Sequence, residues 1–123
     1  MNGNRYLIDT NIAIYLLAGD ERIADILDQN QIFLSFISEL ELLSFKKLSE
    51  KEEEIIKGFL DDVIIIDINK RIKDFVIDLR KKRRIKLPDA IIVATGKFLN
   101  IPLITADQQL KSISETQIVL YTT

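Results

Sequence analysis

The chain has 123 residues, 47% of them hydrophobic, with a formal net charge of -2 and neither Cys nor His. That composition excludes disulfides, thiolate nucleophiles, Cys/His zinc sites and any mechanism that needs an imidazole. The length fits one compact domain over residues 1–123, and the charge sets up no overall basic field for nucleic acid, although a local patch can do so. The start, Met1-Asn2-Gly3-Asn4-Arg5, is polar, and Asp9 and Asn11 break the segment after it, which argues against a signal peptide. No apolar run approaches the ~20 residues that span a bilayer, so a cytoplasmic protein with no membrane contact is expected.

Tyr6-Leu7-Ile8 reads as a buried strand ending at Asp9, and Thr10 or Asn11 is suited to start a helix over Ile12 to Leu17. Gly19-Asp20 marks a turn. Ile23, Ala24, Ile26 and Leu27 give a short amphipathic helix closing near Asn30, and Ile32 to Phe36 a second strand. A helix opens at Ser38-Glu39-Leu40-Glu41. Another begins in the acidic run Glu50 to Glu54, whose charges suit a solvated first turn. Val63 to Ile66 is a continuous β-branched run, the pattern of a strand covered on both faces. Ile72, Phe75, Val76 and Leu79 fall at helical spacing. Leu87-Pro88-Asp89 starts a helix that is almost wholly apolar from Ala90 to Leu99, hence buried on several sides. Ile101 to Thr105 is a fourth strand, Asp107 to Leu110 a helical turn, and Ile118 to Tyr121 a last strand. Alternating strands and helices predict a three-layer α/β sandwich with a mostly parallel, about five-stranded sheet flanked by helices.

In an open parallel sheet, ligands bind beyond the carboxyl ends of the strands. Asp9 ends the first strand, Glu41 lies in the first turn after the second, Asp107 follows the fourth by one residue, and Asp89 opens the buried helix. Each also has a purely structural explanation. Ser38-x-x-Glu41 matches a capping box, and Asp9, Asp89 and Asp107 suit helix N-termini. Crowded at one edge, however, carboxylates repel, and no Lys or Arg is adjacent to any of the four in sequence. A hard divalent cation would offset the repulsion, and all-oxygen ligation favours Mg²⁺ or Mn²⁺ over zinc. Glu39 is a rival to Glu41: two residues apart on a helix, only one readily faces the site.

Leu7-Ile8-Asp9-Thr10-Asn11, Ser35 to Leu42, Leu87 to Thr95 and Leu103-Ile104-Thr105-Ala106-Asp107 resemble, in order and spacing, the four acidic motifs of the PIN domain family. With the total length, they resemble a single-domain VapC-type ribonuclease toxin of a bacterial toxin–antitoxin pair. The resemblance implies a PIN-like fold and a Mg²⁺- or Mn²⁺-dependent endoribonuclease. In it, Asp9, Glu41, Asp89 and Asp107 form the catalytic, metal-binding set, and Asn11 and Thr105 support it. It also implies a homodimer, inhibited by a cognate antitoxin that covers the acidic groove.

Without His, Cys or a Ser–base pair, water activated by one or two divalent ions is the simplest nucleophile for a phosphodiester. Arg80-Lys81-Lys82-Arg83-Arg84-Ile85-Lys86, six of seven residues basic, ends just before Asp89. Arg80, Lys82, Arg83, Arg84 and Lys86 are candidate contacts for an RNA backbone. A run of cations is equally favourable at a helix C-terminus.

Two alternatives stand beside an RNase. A metal clamp reads phosphate rather than sugar, so flap or single-stranded DNA is a possible substrate. A receiver-like signalling module would use Asp67, after the third strand, as phospho-acceptor. It would also want an acidic pair where Asp9 is followed by Thr10.

Overall fold

The apolar runs form one five-stranded sheet in the order β3-β2-β1-β4-β5, every neighbouring pair parallel. This is seen in a computed structural model that describes residues 3–122. The elements are β1 (Arg5–Ile8), α1 (Thr10–Leu17), α2 (Glu21–Leu27), β2 (Gln31–Ser35), α3 (Phe36–Leu43), α4 (Glu50–Asp62), β3 (Ile64–Ile66), α5 (Lys70–Lys82), α6 (Leu87–Leu99), β4 (Leu103–Thr105), a 3-10 turn (Gln108–Ser112) and β5 (Ile118–Leu120).

Side chains alternate across the sheet, and the two faces build two cores. Leu7, Phe33 and Leu103 pack with Ile72, Val76 and Leu79 of α5 and with Ala90 to Ala94 of α6. Ile8, Leu34 and Ile104 pack on the other face with Ile12, Ile23, Leu42, Ile56 and Leu60 from α1 to α4. The helix α6 is buried continuously from Ala90 to Gly96, as its composition predicts. Fully burying one such aliphatic side chain is worth about 1.5–3 kcal/mol, so both layers stabilise the sheet that carries the strand ends. Among the described residues, no helix is long and apolar enough to cross a membrane.

Two local expectations are corrected. The second strand ends at Ser35, not Phe36, and α3 starts at Phe36 because the Ser35 hydroxyl accepts from the Ile37 N–H at 3.2 Å. The Ser38–Glu41 capping box is therefore absent: Ser38 is fully buried within the helix, and Glu41 sits in its second turn. The run Val63 to Ile66 is not covered on both faces. It supplies β3, an edge strand whose Ile64 is 42% exposed. A real capping box lies instead at the start of α4, between Ser49 and Glu52.

The sheet order also disposes of the receiver-like alternative. Receivers place their strands 2-1-3-4-5, whereas here the third strand is an edge, and Asp67 after it is exposed.

Candidate functional site

The chain winds outward from β1 to β2 and β3, then returns to place β4 on the other side of β1. The reversal leaves a crevice beyond the carboxyl ends of β1 and β4. Asp9 follows β1, and Thr105 ends β4. Across the crevice the Thr105 hydroxyl donates to Asp9 Oδ2 at 2.5 Å, while Asp9 Oδ1 accepts from the Ile12 N–H at 2.9 Å. Asp9, rather than Thr10 or Asn11, is thus the N-cap of α1.

The other polar groups gather around this pair. Thr105 Oγ1 also accepts from the Asp107 N–H at 3.1 Å, and Asp107 Oδ1 caps the 3-10 turn through the Gln109 N–H at 2.9 Å. From the β2 side, Thr10 donates to Glu41 Oε1 at 2.5 Å and shares a 2.8 Å hydrogen bond with Ser38. This contact turns Glu41, rather than Glu39, toward β1. Asp89 lies in the first turn of α6, half-buried.

The electrostatics tie the four acids together. Burial pushes the Asp9 carboxyl above its ordinary value, the charges of Asp107 and Glu41 add to this, and the bonds from Thr105 and Ile12 oppose it. Asp89 is raised as well, first by burial and then by Asp107, Asp9 and Glu41. Lys86, one turn before it, offsets part of that. Capping does not account for Asp9. A cap is worth about 1 kcal/mol, and Asn supplies it without burying a charge.

Every donor in the cluster is oxygen and its charge is only partly neutralised, which fits a hard divalent cation in chemistry. As the side chains stand, no three acids among the described residues are close enough together to hold one.

Beside Asp89 lies an open cleft of about 570 Å³, lined by Arg80, Arg83, Arg84 and Lys86 on one wall and by Gln109 and Ser112 on the other. The basic run thus borders the acidic edge. Its members differ. Arg84 and Lys86 are exposed. Lys82 pairs with Asp78 on its own helix at 3.0 Å, and Arg80 Nε donates to the Ile85 carbonyl at 3.3 Å. Arg83 is engaged by Glu115 at 2.8 Å. Asn11 is exposed in the first turn of α1. Sequence reasoning did not single out Thr10 as the partner of Glu41, nor Ser38 as the partner of Thr10. A hydroxyl directly after Asp9, and another one turn before Glu41, were the available signals.

A family model described as PIN domain matches residues 6–116. No curated protein matches. Solved structures do. A chain of a toxin–antitoxin complex from Klebsiella pneumoniae is 32% identical with a TM-score of 0.78, covering 93% of this chain and 95% of that one. VapBC-1 from nontypeable Haemophilus influenzae gives 27% identity and a TM-score of 0.76, covering 94% and 97%. VapBC2 from Rickettsia felis, bound to a DNA fragment from its promoter, shares the fold at a TM-score of 0.84 with 24% identity, covering 96% and 99%. With the model match running through all four acidic segments as far as Asp107, the chain belongs to the PIN domain family.

Proposed function

We propose that this chain, as one nuclease domain over residues 1–123, is a metal-dependent endoribonuclease and the toxin of a type II toxin–antitoxin pair. The observation that carries the reading is that Asp9, Glu41, Asp89 and Asp107 lie near enough to one another for like charge, added to burial, to raise both Asp9 and Asp89. Family membership supports a nuclease, and the toxin–antitoxin complexes among the similar structures support the pairing.

In this reading the four acids hold Mg²⁺ or Mn²⁺. The ion, when bound, activates water and neutralises charge on the attacked phosphate. Thr105 and the Ile12 N–H fix both oxygens of Asp9, so its direction is set before substrate arrives. Thr10 does the same for Glu41. Asp89 is less enclosed than Asp9 and opens onto the cleft, a placement that suits the carboxylate that takes a proton from water. Arg84 and Lys86, beside it on the cleft wall, hold the RNA backbone.

A groove of about 220 Å³ lined by Ile14, Leu17, Leu42, Phe45, Leu48 and Ile55 suits an antitoxin segment. The exposed Phe45 and Ile55 beside it support a protein contact. A homodimer in the cytoplasm completes the proposal.

The test is cleavage of a structured RNA pool, beside single-stranded DNA of matched sequence, with Mg²⁺, with Mn²⁺ and with a chelator. Asp9→Asn and Asp89→Asn are run alongside. Metal-dependent RNA cutting that both substitutions abolish is expected. Cutting that survives both overturns the site, and preferential cutting of DNA moves the substrate.

A further inference from the structure

Among the described residues, five of the six α-helices begin on a side chain that caps them: Asp9, Asp20, Ser35, Ser49 and Asn69 each accept from a backbone N–H. The exception is α6, whose N-cap, Lys86, makes no side-chain hydrogen bond. Yet α6 carries Asp89 in its first turn, and the segment before it carries Arg84 and Lys86. Pro88 in its first turn needs no N–H partner, and the side-chain contacts on the segment before it come from outside the helix, from Arg80 and Arg83.

The Arg83–Glu115 pair is built to hold the start of α6 in place. Arg83 caps the end of α5 with its backbone N–H on the Leu79 carbonyl. Its guanidinium reaches Glu115 twice, Nη2 to Oε1 at 2.8 Å and Nε to Oε2 at 3.3 Å. This two-pronged arrangement fixes direction as well as distance. The side chains are 29% and 15% exposed, the most enclosed of the ion pairs among the described residues. Glu115 is itself held, its Oε1 accepting from the Ser114 N–H at 3.2 Å. Next to it, the Thr116 hydroxyl donates to the Ile101 carbonyl at 3.4 Å and lies against Gly96, where an added Cβ would stand only 3.0 Å from it. The loop bearing Glu115 is therefore seated on the far half of α6, and the pair ties the segment before α6 to that seat.

We propose that the Arg83–Glu115 pair is a latch that positions the start of α6, so that Arg83 acts as a positioning residue while Arg84 and Lys86 are the cations that meet RNA. The proposal rests on the nuclease reading for its substrate. A phosphate-gripping Arg and a latch Arg differ in what removing their partner does. If Arg83 grips phosphate, Glu115→Gln frees it and removes a repelling charge, so binding tightens. If the pair is a latch, Glu115→Gln loosens the segment, so binding weakens.

The experiment measures binding of a fluorescent mixed-sequence single-stranded RNA, in chelator, across a salt series. The proteins are the wild type, Arg83→Gln, Glu115→Gln, the swap Arg83→Glu with Glu115→Arg, and Arg84→Gln. Arg84→Gln is expected to lower the salt slope by about one, the mark of a lost phosphate contact. Arg83→Gln and Glu115→Gln should both weaken binding severalfold at every salt concentration with the slope retained, and the swap should recover most of the loss. Tighter binding by Glu115→Gln, or a slope reduced by Arg83→Gln as much as by Arg84→Gln, overturns the latch. Amide hydrogen exchange over residues 84–90 is read on the same proteins. If the wild type binds no RNA, the assignment of Arg84 and Lys86 as RNA contacts falls, while the nuclease reading is judged by the metal-dependent cleavage assay. The latch then stands on faster exchange in both single variants with recovery in the swap, and falls if exchange is unchanged.

Discussion

At the starts of four α-helices an acid is displaced from its ordinary value, and the four fall into two opposite pairs. At α2 and α4, Asp20 and Glu52 are held below their ordinary values, chiefly by hydrogen bonds with the backbone of Ile23 and Ser49. At α1 and α6, Asp9 and Asp89 are pushed above theirs, chiefly by burial, with carboxylate neighbours adding to it. All four sit where a helix dipole favours negative charge, so the dipole does not separate them. Solvent and company do. Asp20 and Glu52 gain from ionising where they are, and helix capping, with the Tyr121 hydroxyl donating to Asp20 as well, accounts for them. Asp9 and Asp89 lose by it, and such placement marks a candidate functional site.

The sharpest way to break this contrast is Asp9→Asn. Asn caps a helix about as well as Asp, so α1 should persist while the charge goes. Cleavage is expected to fall by about a hundredfold or more, yet the metal-free protein should melt higher than the wild type. A lower melting temperature would mean the carboxylate stabilises the fold after all.

Thr105→Val comes next. It keeps the shape of a buried side chain and removes the donor to Asp9 Oδ2. Loss of a supporting hydrogen bond of this kind costs about 10–100-fold in metal affinity or activity. An Mg²⁺ titration of cleavage would show the shift, and an unchanged midpoint would sever Thr105 from the site.

The pH response of the metal-free protein divides the two pairs more finely. Asp9 and Asp89 bind protons more tightly folded than unfolded. Their contribution to stability is therefore greatest in acid and is lost as pH rises from their ordinary 3.8 through the raised folded values. Asp20, Glu52 and Glu115 have lowered values. Their contribution is present above the ordinary 3.8 for Asp and 4.5 for Glu and is lost as pH falls through the folded ones. Melting curves of wild type and an Asp9→Asn, Asp89→Asn double variant should diverge as pH rises from 3.8 through the raised folded values and stay apart above them, with the variant the more stable. Parallel curves would contradict the raised values.

The smallest effect belongs to Glu52→Gln. It trims the α4 capping box and should lower the melting temperature slightly while leaving cleavage as it was. A change in cleavage would join α4 to the site and blur the contrast.

Much of this was legible in advance, for particular reasons. The helix α6 declared itself because nearly everything from Ala90 to Leu99 is apolar. The parallel sheet followed from the alternation of strands and helices, and the four acids from their places in that alternation. What escaped was local competition and long-range geometry. Ser35 and Ser38 are both plausible caps, and only the point where β2 stops pairing decides between them. Val63 to Ile66 looks like a central strand because composition reports hydrophobicity, not position in the sheet. The partnership of Arg83 with Glu115 joins residues 32 apart in sequence, and nothing in a run of basic residues says which one is already engaged.

The bond between Thr105 and Asp9 spans 96 positions of the chain, and this has a consequence for the timing of synthesis. Made from the N-terminus, β1 acquires its β2 neighbour early, but its other neighbour, β4, begins only at Leu103. A growing chain that already carries Asp9, Glu41 and Asp89 still lacks both Thr105 and Asp107. Contacts of such long separation close late and slowly. Competence at the acidic edge therefore waits until β4 and Asp107 have been made, and a product broken off before β4 would carry three of the four carboxylates with no crevice to gather them.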